Sequence, residues 1–158
     1  MGQPSDLDAV DVAILRELQK DARLQNKELA AIVGVAPSTA LERVRSLRRR
    51  GVFTGFHATV NLAALGRPVS ALLSVRVRPH RQQIVAAFKT FVLEQPETVS
   101  LLHVAGPDDY LIQVAVPDTT HLQQLLINRL LSRPEVVSVN TMLVFEAVGQ
   151  PVQGPIGS

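Results

Sequence analysis

Leu7, Val10, Ile14 and Leu18 recur at three-to-four-residue spacing. That spacing lines side chains along one stripe of a helix and predicts a first helix from about Asp8 to Ala22. Asn26 is suited to cap a second, short helix whose Leu29, Ile32 and Val33 point inward, and Gly34 offers the left-handed residue at which it stops. Pro37 fits the first turn of a third helix, where its missing N–H is not needed; Leu41, Val44 and Leu47 line its buried side, and Gly51 ends it.

Beyond this the period changes. Val52 to Asn61 is β-prone and runs into Leu62–Pro68, which reads as a strand followed by a linker. Val69, Ala71, Leu73, Val75 and Val77 then alternate with Ser70, Leu72, Ser74, Arg76 and Arg78, the mark of a strand buried on one face. Ile84, Phe88, Phe91 and Val92 form a helical stripe. Pro96 opens a strand through Val104, Gly106-Pro107-Asp108-Asp109 turns the chain, and Tyr110 to Val116 returns. Leu122, Leu125, Leu126 and Leu130 make another stripe before a last strand, Val136 to Phe145. The order βαββαβ predicts a ferredoxin-like sandwich, so the fold class is α+β: three helices, a strand linker, then this second domain. The expected division is 1–54, 55–66 and 67–148, with a flexible tail at 149–158 rich in Gly and Pro.

Two helices cover one face of a four-stranded sheet, yet the opposite parity also carries Leu72, Leu102, Leu111, Met142 and Val144. Such a face is hidden most simply against a second copy, which predicts a homodimer through the rear domain.

Charge sharpens the front. The chain has 16 Lys and Arg against 14 Asp and Glu. Five of those arginines (43, 45, 48, 49 and 50) crowd into residues 37–51 with Glu42 alone to oppose them. At about 100° per residue the third helix turns Ser38, Thr39, Glu42, Arg45, Ser46 and Arg49 outward. Three short helices with a tight turn before the third describe a helix-turn-helix whose third helix enters the major groove of double-stranded DNA by its N-terminal end. Ser38 and Thr39 then lie near bases, and the arginines, Arg43 included, near phosphates. A dimer would present two such heads to a palindromic operator. An amino-acid sensor or assembly module without DNA binding is the alternative; it leaves the outward arginines idle.

Other functions are disfavoured. Cysteine is absent, and His57, His80, His103 and His121 lack metal-ligand spacing, so no metal is expected. No nucleophile–base pair, phosphate-binding glycine loop or carboxylate dyad is present, which argues against an enzyme. No apolar run reaches the roughly 18 residues of a membrane span and the N-terminus is acidic, so a cytoplasmic protein without membrane association is expected.

The chain resembles the Lrp/AsnC family of leucine-responsive and asparagine-responsive transcription regulators over roughly residues 7–148. The resemblance is carried by LDAVDVAILRELQKDAR, by NKELAAIVGVAPSTALERVRSLRRRGVFTGF, by Gly106-x-x-Asp109-Tyr110 and by PEVVSVNTMLVFEAV, in that order. It implies a linker strand that pairs between protomers, and a sensor domain that dimerises and assembles into octamers or other multiples of dimers. It also implies a small effector, usually an amino acid, bound between dimers beside Gly106, Asp108, Asp109 and Tyr110, with Thr141 on the last strand; no other cofactor is implied. A turn of free N–H groups beside the Asp109 carboxylate suits the two ends of an amino acid.

Overall fold

The computed structural model describes residues 7–156, so residues 1–6 and 157–158 at the extremes of the expected first domain and tail lie outside the described residues. The chain forms two compact units: one runs up to Thr59 and resumes at Val148, and the other spans Val60–Ala147.

In the first unit, α1 (Ala9–Lys20), α2 (Asn26–Val33) and α3 (Pro37–Arg49) form the expected trio. Asp8 caps α1, its carboxylate accepting from the Asp11 N–H at 2.9 Å. The cap of α2 is Gln25 rather than Asn26; the Gln25 N–H donates to Glu28 at 3.3 Å, while Asn26 is already helical. Gly34 stops α2 at φ 72°.

The main apolar cluster is Ile14, Leu15, Leu18, Leu29 and Leu47, with Val33, Val44, Val52, Phe53 and Phe56 among those packed against it. Two expectations fail: Ile32 is 56% and Leu41 40% exposed. Ala30 and Ala40 take the buried places instead, because short helices that approach closely favour small side chains at the contact.

Val52 to Asn61 makes no strand. A strand exists by pairing its backbone with a neighbour, and a single chain brings none to this segment. Its Phe53 and Phe56 rings pack at 5.1 Å instead. The expected flexible tail, 149–158, is tied to α1 at Gln153. The Gln19 side-chain amide donates to the Gln153 carbonyl and accepts the Gln153 N–H, both at 2.8 Å.

The second unit is the expected βαββαβ: β1 (Val69–Val77), α4 (Gln82–Glu94), β2 (Thr98–His103), β3 (Tyr110–Val116), α5 (Thr119–Leu125) and β4 (Val136–Val144), with one π turn at Leu126–Leu130 after α5. The strands lie in the order β2-β3-β1-β4, every neighbouring pair antiparallel. Ala71, Leu73, Val75 and Val77 are fully buried among Phe88, Val92, Tyr110, Ile112, Leu122 and Leu125.

On the other face Leu72 pairs with Met142, Leu102 with Leu111 and Ser70 with Val144. Leu102 is 55% exposed. The apolar second face read from parity is therefore present.

Candidate DNA interface and effector loop

The start of α3 is fixed from α2: the Asn26 side-chain amide donates to the Pro37 carbonyl at 2.7 Å. Ser38, Thr39, Glu42, Arg45 and Arg49 are all exposed, and Ser46 is half-buried. Glu42 and Arg49, two turns apart, pair at 2.9 Å. The hydrogen bond from Arg49, and then its charge, hold the Glu42 carboxyl below its ordinary range. Arg48 lies over the Phe56 ring at 4.7 Å.

Arg43, expected at a phosphate, turns to α1. Its guanidinium reaches Asp8 at 2.5 Å and Asp11 at 2.9 Å, and Arg50 reaches Asp11 at 3.3 Å. The Asp11 side chain is only 8% exposed, so two cations satisfy a nearly buried carboxylate. Nothing in the local spacing reveals this, because the partners lie 32 and 39 residues apart.

In the second unit the loop before β3 splits its two acids. Asp108 accepts from the buried Ser74 hydroxyl at 2.7 Å, and Ser74 stands in the same row of the sheet as Leu111 and Asn140. Asp109 turns toward the segment after β1. It accepts from the Val77 N–H at 2.7 Å, from Arg78 at 3.0 Å and from His80 at 2.9 Å. Burial pushes the Asp109 carboxyl up, but that N–H, His80 and Arg78 more than offset it, and the net shift is downward.

Tyr110 is buried, its ring 4.8 Å from His103 and 5.0 Å from Phe88. Its hydroxyl has no hydrogen-bond partner, and burial followed by the Asp109 charge raises its pKa. A cavity of about 160 Å³ is lined by Val77, His80, Val85, His103, Asp109 and Tyr110.

Thus Asp109 and Tyr110 come together, but Thr141 does not join them. It pairs with Leu73, whereas Tyr110 pairs with Val75. From strand spacing and rise, Thr141 lies about 12 Å from Tyr110, two strands across and two residues along. Gly106 has φ 159°, close to extended backbone, and a Cβ there would meet nothing within 4 Å. Arg78, His80 and His103 were not singled out from sequence. His103 is exposed on β2, which forms the sheet edge. The one available signal was the Arg78-Pro79-His80 run directly after an alternating strand.

Among the described residues no group of three His, Asp or Glu is arranged to hold a metal, and no helix is long and apolar enough to cross a membrane.

Residues 7–48 match the AsnC-type helix-turn-helix domain, and residues 70–152 match the Lrp/AsnC ligand binding domain. The HTH-type transcriptional regulator AldR of Mycolicibacterium smegmatis is 36% identical over 141 residues, 89% of this chain and 82% of that protein. The leucine-responsive regulatory protein of Escherichia coli is 37% identical over 145 residues, 92% of this chain and 88% of that one. A transcriptional regulator of Neisseria meningitidis, solved as its complex with L-Met, superimposes with a TM-score of 0.87 at 26% identity, covering 96% of this chain and 97% of the other.

Proposed function

The chain belongs to the Lrp/AsnC family of transcription regulators, and from that premise we propose how its two units divide the work. The first unit reads a palindromic operator in double-stranded DNA with α3. Ser38 and Thr39 approach base edges, Glu42 and Ser46 flank them, and Arg45 and Arg49 meet phosphates. The observation that carries this reading is the single exposed arc of α3, with small hydroxyls at its N-terminal end and guanidiniums behind them. Two copies, joined through the apolar sheet face of Leu72, Leu102, Leu111, Met142 and Val144, supply the matching pair of reading heads. The protein works in the cytoplasm without catalysing a reaction.

The second unit senses an amino acid beside Gly106–Tyr110. Asp109 orders Arg78 and His80, whose N–H groups suit the effector carboxylate, while Asp109 itself suits its ammonium. Thr141 reaches such a ligand from a neighbouring copy, given its distance within one chain. A ligand held between copies biases dimers toward or away from an octamer or another multiple of dimers, by no more than its differential affinity for the two assemblies.

The test joins calorimetry across the common amino acids with light scattering and retardation of the upstream DNA. Heat from at least one amino acid, a change in particle size, and loss of both in Asp109→Ala with DNA binding retained are the expected results. A monomer at micromolar concentration, or no retarded DNA, refutes the reading.

A further inference from the structure

The five arginines of the third-helix segment are not equivalent. Arg45 makes no hydrogen bond or ion pair among the described residues, and Arg49 is exposed beside Glu42. Arg43 and Arg50 sit about 90° round the helix from the centre of its outward arc, and both are drawn down onto α1. Asp11 receives both of them, and Asp8 receives Arg43 a second time.

Asp8 is itself held, because the same carboxylate caps α1 through the Asp11 N–H. The acid end of α1 is therefore fixed in place by its own helix start. From there it fixes two points on α3 seven residues apart, one near the middle and one at the end.

We infer that Asp11, aided by Asp8, is a positioning residue of the reading head: it sets the angle of α3 and withholds Arg43 and Arg50 from DNA, so that binding rests on fewer phosphate contacts and more on sequence. This rests on the DNA-reading role of α3 given above. The physical basis is counterion release. Each phosphate neutralised by a cation adds about 0.9 to the slope of log affinity against log salt for any sequence alike. An arginine already neutralised by a nearly buried carboxylate adds nothing to that slope, because leaving would strand the acid. Withholding it lowers indiscriminate attraction while leaving base contacts intact, which raises the ratio of specific to non-specific binding.

The experiment titrates salt against the full chain on a labelled mixed-sequence duplex of about 30 base pairs, by fluorescence anisotropy. Arg45→Gln is expected to lower the slope by about 0.9, and Arg43→Gln to leave it unchanged. Asp11→Asn, whose fold is checked by circular dichroism, is expected to steepen it by about 0.9 for each guanidinium released. The double variant Asp11→Asn with Arg43→Gln, a neutral pair of similar shape, is expected to bring the slope back toward the parent value.

An equal loss of slope in Arg43→Gln and Arg45→Gln overturns the inference and leaves DNA reading by α3 standing. No loss in either overturns the DNA reading itself. Should Asp11→Asn fail to fold, the comparison of Arg43→Gln with Arg45→Gln decides the matter alone.

Discussion

The two units are stabilised by different means. In the second, whole apolar rows are buried: β1 alone places Ala71, Leu73, Val75 and Val77 out of solvent beneath Phe88, Val92, Leu122 and Leu125. In the first, α3 contributes only Ala40 and Leu47 to the buried set, with Val44 packed beside them, and is also held by the Asn26 hydrogen bond at its start and by guanidiniums on Asp8 and Asp11. A helix that must show a long polar arc to a partner has little apolar surface left for its own unit. Charge and a few close contacts then hold it, whereas the sheet is held by area.

The largest expected effect falls in the sheet unit. Phe88→Ala empties a fully buried ring site and should cost about 3–5 kcal/mol in denaturant unfolding followed by a probe in that unit. A cost below about 1 kcal/mol would mean that the core there collapses freely and the contrast is false. Leu47→Ala, also fully buried, should cost about 3 kcal/mol but appear in the first unit's transition, with operator binding lost in step.

Acid should separate the units next. The folded-state pKa of Asp109 is depressed, so its contribution is present above the unfolded value of about 3.9 and is lost as pH falls through the folded value. Thermal melts of the second unit should therefore hold steady near neutrality and weaken below about pH 4, and Asp109→Asn should flatten that fall. An unchanged acid profile in the variant would show that the carboxylate is not held by Val77, Arg78 and His80 as described. The smallest effect is expected at Ile32, apolar yet exposed: Ile32→Gln should shift stability by no more than about 0.5 kcal/mol. A loss of several times that would place Ile32 in a contact made only in the assembly.

Each of these outcomes follows from where side chains lie, and only part of that was readable along the chain. Helices α1 and α3, strands β1 and β3 and the sheet's two parities were legible because they depend on periods of a few residues. The turn at Gly34 was legible because one residue type tolerates that backbone. Ile32 and Leu41 were misplaced by the same reasoning. A stripe drawn on a two- or three-turn helix has loose edges, and the alanines that let helices approach carry no hydrophobic bulk to mark them.

By itself the chain determined the family, the two-part plan, the basic third helix and the apolar rear face, all of which are local pattern repeated in order. Tertiary structure alone decided which arginines are available, because Asp11 and Arg43 meet across 32 residues of chain and only packing brings them together. It also decided that Asp109 comes already paired with Arg78 and His80, and that Thr141 lies two strands away on the sheet. The physical reason is the same in each case. Backbone periods act over neighbours, whereas the charge and hydrogen-bond state of a side chain depends on every group that folding brings within a few ångströms of it.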